Sequence, residues 1–128
     1  MAFRYHVYGF SIASGFPLAL KQHSNDRPPD IHIDRTDSDF FIDILEQSKP
    51  VKIDDWYDFA LLPDGAIYLR WHGLFEFTIS ADGSLIKCGW ADSVSFESFE
   101  VYLLSFALSF ALLRKKEEPL HATDHVRG

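Results

Sequence analysis

One cysteine in 128 residues, Cys88, leaves nothing for an internal disulfide to join, which fits a reducing compartment. Positive charge is also scarce. Lys plus Arg number 12 against 19 Asp plus Glu, for a formal charge of -7, and no basic run reaches five residues. Nucleic-acid binding draws most of its affinity from basic side chains on phosphates, so a nucleic-acid partner is excluded. The opening Met-Ala-Phe-Arg-Tyr-His lacks the charged-then-apolar pattern of a secretory signal, and a cytoplasmic location is expected. The apolar run Val101 to Leu113 falls short of the roughly 20 residues a spanning helix needs, so no membrane partner is expected. None of the glycines opens a phosphate-binding loop or a dinucleotide fingerprint, and no nucleophile elbow or Cys-x-x-Cys pair occurs. Catalytic, cofactor and metal sites are therefore all expected to be absent, and so is ATP binding.

What the chain does have is apolar and aromatic side chains, at 47% and 16% of residues, which excludes intrinsic disorder and suits one domain, 1–128. Residues 3–10 read as a strand closed by Ser11 to Gly15, and Ile31 and Ile33 alternate with polar neighbours as a short strand. Phe40 to Leu45 alternates too and is read as a strand, although a helical turn fits nearly as well. Tyr57–Leu62 and Ala66–His72 flank the turn Pro63-Asp64-Gly65, and Leu74–Ser80 and Ser84–Trp90 flank Ala81-Asp82-Gly83. This is an antiparallel meander.

After Asp92 the period changes from two to 3.6. Ser93 or Ser95 is a suitable N-cap, Glu97 and Glu100 suit the positive end of a helix, and Arg114 to Lys116 suit the negative end before Pro119. A helix over about 96–116 follows. The expected fold is α+β: a mainly antiparallel sheet of about six strands with one long C-terminal helix packed on it.

That helix is apolar in every direction, whereas one sheet face needs a stripe somewhat over 100° wide. Either a curved sheet wraps it, or a second domain or subunit covers its far side. The small residues Ser105, Ala107, Ser109 and Ala111 suit close approach of a partner. Leu103, Phe106, Ala107, Phe110 and Ala111 are the expected interface, and a homodimer built on it is expected when no other cover is present.

Other residues carry weaker signals. His121 and His125 have the spacing of metal ligands on one helical face, but Pro119 argues against a helix there. His6, His32 and His72 fall on outward strand faces, and Cys88 alternates with Ile86 and Trp90 as a core residue. Between 24 and 58, ten carboxylates stand against Arg27, Arg35, Lys49 and Lys52. They form either solvated loops or a docking face for a basic peptide or a cation.

The order of features is distinctive. Residues 5–14 (Tyr-His-Val-Tyr-Gly-Phe-Ser-Ile-Ala-Ser) and then Phe16-Pro17-Leu18 resemble the start of bacterial HPr kinase-like proteins, a group of serine kinases. An Asp30-Ile31-His32-Ile33 strand, a hairpin from Phe75 through Gly83 and a long apolar helix follow in the same order. Pro119-Leu120-His121-Ala122-Thr123 is similar to the Leu-His-Ala-Ser segment that precedes the family's kinase core. The family's phosphate-binding loop would come next, beyond Gly128, so no position here inherits its nucleotide or catalytic residues.

The resemblance implies the N-terminal domain of such a protein, with 119–128 as the start of a missing or truncated core. Its implied function is a non-catalytic accessory or substrate-presenting domain, whose partner is the kinase core or a protein or peptide. The competing readings are a free-standing binding or dimerisation module and an enzyme of another type.

Overall fold

Two glycine turns and one long helix dictate most of the architecture. The computed structural model describes residues 2–23, 27–48 and 51–116. Its strands are β1 (Phe3–Val7), β2 (Phe10–Ser14), β3 (Ile31–Arg35), β4 (Val51–Asp54), β5 (Tyr57–Leu61), β6 (Ile67–Trp71), β7 (Phe75–Ile79) and β8 (Leu85–Trp90). They form one eight-stranded sheet in the order β1-β2-β3-β8-β7-β6-β5-β4. Helix α1 (Ser38–Gln47) and helix α2 (Phe96–Lys116) complete an α+β fold.

The meander is present as β5 to β8, all antiparallel. Elsewhere the sheet departs from expectation. It is mixed, because β3 runs parallel to both β2 and β8, and it has eight strands rather than about six. The stretch 3–10 is not one strand: Tyr8 and Gly9, at φ 50° and 83°, turn the chain back so that residues 10–14 pair with 3–7. Positive φ at both central residues is what a type I′ hairpin requires.

Residues 40–45 are helix, not strand. Asp37 accepts the Phe40 N–H at 3.2 Å as an N-cap, and α1 sets Phe41 into a small cluster with Ala60 and Tyr68. That cluster lies on one face of the sheet. The main core lies on the other, where Leu69, Trp71, Phe75, Phe77 and Ile86 meet Phe99 and Leu103 of α2.

Ser95 caps α2 by accepting the Ser98 N–H at 3.2 Å. A single π turn, Leu103–Ala107, interrupts the helix, and the Leu108 N–H reaches the Leu103 carbonyl five residues back. This turn explains part of the apolar pattern. On an unbroken α-helix, at about 100° per residue, Ala111 would stand about 120° and Leu108 about 180° away from Phe99. The wider turn absorbs one residue and returns the later part of the helix to register. Phe99, Leu103, Ala107, Leu108 and Ala111 are all buried as a result.

At 21 residues α2 is, by length and composition alone, long and apolar enough to cross a membrane, although its apolar run Val101–Leu113 is shorter. Here it lies along the sheet. Its last turn touches the β7–β8 turn, and Arg114 donates to the carbonyls of Gly65 (2.8 Å) and Ala81 (2.9 Å), tying both hairpin turns to the helix end.

Candidate functional site

Register places the polar side chains of the meander. On the α1 face, Asp58 of β5, Arg70 of β6, Glu76 of β7 and Gly89 of β8 stand in one row across the strands. Gly89 leaves room for Phe41, whose ring lies 3.0 Å from where a Cβ would be. The neighbouring row is Ala60, Tyr68, Thr78 and Lys87.

The row is a hydrogen-bonded cluster. Asp58 is buried, and one of its oxygens lies 2.7 Å from His72 Nε2 and 3.8 Å from Arg70 Nη1. Buried Tyr68 donates its hydroxyl to Glu76. Burial first, and then the bond to Glu76 and its charge, push the phenol well above its ordinary range, so Tyr68 stays a donor. Burial likewise pushes the Cys88 thiol up, and the thiol sits 3.4 Å from the Asp34 carbonyl. Such a thiol is a poor nucleophile.

A cavity of about 700 Å3 opens beside this row, where β3, β6 and β8 end and β7 and α1 begin. Phe41 lines it from the α1 side of the sheet, and Trp71 and Phe75, whose rings belong to the core under α2, line it at the strand ends. Arg35 and Arg70 both line it, and the Arg35 guanidinium carbon stacks 3.8 Å from the centre of the Trp90 ring. Among the described residues no three His, Cys, Asp or Glu side chains come together as a metal would need.

The expected interface divides in two. Leu103, Ala107 and Ala111 face the sheet and are buried, so they contact no partner in this conformation. Their small or slender side chains let the sheet, not a second molecule, approach the helix. Phe110 is partly buried against the core. Phe106 remains 43% exposed, with its ring against Trp71 and stacked on Tyr102. The apolar residues that α2 turns outward are Val101, Phe106 and Leu113, with exposed Ser105 and Ser109 between them and exposed Ser98 before them.

Other expectations resolve individually. His6 and His32 are exposed, whereas His72 is half-buried on Asp58. Among the described carboxylates between 24 and 58, three are engaged within the fold. Asp30 accepts the Ser11 N–H at 2.7 Å and pairs with Arg27, Asp37 caps α1, and Asp58 is buried. His121, His125 and the segment 119–128 lie outside the described residues.

The Asp58–Arg70–Glu76 row was within reach of the sequence, because pairing through Pro63-Asp64-Gly65 already sets Asp58 opposite Arg70. Arg35 had no such signal, since its strand reaches the site by a parallel pairing. No family model, curated protein or solved structure matches the chain.

Proposed function

We propose that this chain is a non-catalytic accessory domain of an HPr kinase-like serine-kinase system, which packs on the kinase core and presents a protein or peptide substrate to it. The observation that carries this reading is the outer face of α2. Val101 and Leu113 are more than half exposed and Phe106 nearly so, on the same helix that leads toward Leu120-His121-Ala122-Thr123. Exposed apolar side chains along one ridge suit a protein contact. The order of strand, hairpin and long helix on which the resemblance rests is compatible with the element order β3, β7–β8 and α2.

The test is calorimetric titration of the chain with the separately produced catalytic core of an HPr kinase-like protein. Binding is expected, and the doubly substituted chain Val101→Asp, Leu113→Asp should lose it while keeping its circular dichroism. If the chain ignores the core and instead forms a dimer that the same substitutions dissolve, the free-standing dimerisation module replaces this reading.

A further inference from the structure

We infer that a second cavity, between α1 and the hairpin-turn end of the sheet, is a binding site for a short aliphatic carboxylate. The inference is independent of the contact proposed for α2, because this cavity lies on the opposite face of the sheet.

Register puts the whole floor of this cavity on one face. The row Ala60, Tyr68, Thr78 and Lys87 lies on the α1 side. Two residues along each strand, where side chains return to the same face, stand Leu62, Ala66, Ser80 and Leu85. Side chains of both rows enclose a space of about 400 Å3, and Phe40 and Ile44 of α1 close it from above.

Several polar groups of the lining are already engaged. Asp64 accepts the Ala66 N–H at 2.9 Å, and Ser80 accepts the Leu85 N–H while donating to Asp82. Gln47 and Ser48 stand at the end of α1, with Gln47 exposed. Thr78 and Lys87 differ. Thr78 is only 6% exposed, and its hydroxyl has no hydrogen-bond partner among the described residues. A polar group buried to that extent calls for a partner. Lys87 is its register neighbour on β8, and the ammonium lies 4.4 Å from the centre of the Phe40 ring. Asp34, opposite Lys87 on β3, is exposed and makes no ion pair with it. A hydroxyl and an ammonium side by side offer two donors to one carboxylate, and the charge on Lys87 strengthens the bond. Asp64, the one carboxylate among the described lining residues, belongs to the β5–β6 turn. Strand β6 is two spacings from β8, about 10 Å, so an anionic head at Lys87 stays clear of Asp64. The other walls, Ile44, Leu62, Pro63, Ala66 and Leu85, are aliphatic and suit an alkyl chain. A volume near the lower end for ligand pockets keeps that chain short.

Methyl NMR of the intact chain tests this, with hexanoate, hexanol and acetate as probes. Hexanoate should shift the methyl signals of Ile44, Ala66, Thr78 and Leu85 and leave those of Ile33 and Leu103, in the core under α2, in place. Hexanol, which keeps the tail without the charge, and acetate, which keeps the charge without the tail, should each bind about tenfold more weakly or worse. Lys87→Met and Thr78→Val keep the bulk of each side chain and remove only its donor. Each should weaken hexanoate about tenfold with unchanged signal dispersion. Absence of any shift at tens of millimolar hexanoate would overturn the inference. So would shifts centred on Leu103, hexanol or acetate binding as well as hexanoate, or either variant binding it undiminished.

Discussion

A methyl group added at Gly83 would sit 2.4 Å from the Ala111 carbonyl oxygen, on a backbone already at φ +76°. Both faults fall where the β7–β8 turn meets the last turn of α2, so neither can relax without moving an element. Gly83→Ala should cost about 2 kcal/mol or more in chemical denaturation, and a neutral result would mean that the helix end is not seated on the turn. Arg114 acts at the same junction through two carbonyls, and Arg114→Ala should cost about 2 kcal/mol by the same measurement. Between them stands Asp82. The Ser84 hydroxyl and then the Ser84 N–H, with help from Ser80, hold its carboxyl down from 3.8 to about 2. A depressed carboxylate adds stability above its unfolded value and loses it as pH falls through the folded one. Asp82→Asn should therefore flatten the loss of stability between about pH 4 and 2 relative to the parent, without abolishing it, because other carboxylates titrate there as well.

At the scale of elements, local chemistry was legible and long-range pairing was not. Pro63-Asp64-Gly65 and Ala81-Asp82-Gly83 mark their turns because each Asp accepts a backbone N–H two residues on, at 2.9 Å in both cases. Phe40 to Leu45 was misread because alternate and helical spacings coincide over six residues. The deciding signal was Asp37, which caps the Phe40 N–H and starts a helix. In α2, apolar residues on every side looked like a need for a second cover, when part of that pattern is the one-residue offset absorbed at Leu103–Ala107. Deleting Ser105, exposed in the π turn, should close it into regular α-helix and keep Phe99 and Ala111 on the sheet, with a melting temperature within a few degrees of the parent. Inserting an alanine after Ser109 should instead swing Ala111 off the sheet and lower the melting temperature steeply. Equal effects of the two changes would refute the role given to the π turn.

At the scale of the whole molecule, β3 joins the β1–β2 hairpin to the meander by parallel pairing on both of its sides. No turn motif encodes such a junction, which is why the sheet looked mainly antiparallel and why Arg35 and its cavity were invisible from the sequence. The same sheet gives α2 two different faces. Its inner side is held by Phe99, Leu103, Ala107 and Ala111, and its outer ridge of Val101, Phe106 and Leu113 is exposed, the surface proposed to meet the core. Methyl cross-saturation NMR separates these faces in one measurement, with the methyl-labelled chain bound to an unlabelled HPr kinase-like catalytic core. The methyls of Val101 and Leu113 should lose the most intensity and those of Leu103 and Leu108 should keep theirs. Loss centred elsewhere, as at Ile42 of α1 or Leu61 of β5, or no loss at all, would contradict the assignment of the α2 ridge as the contact with the core.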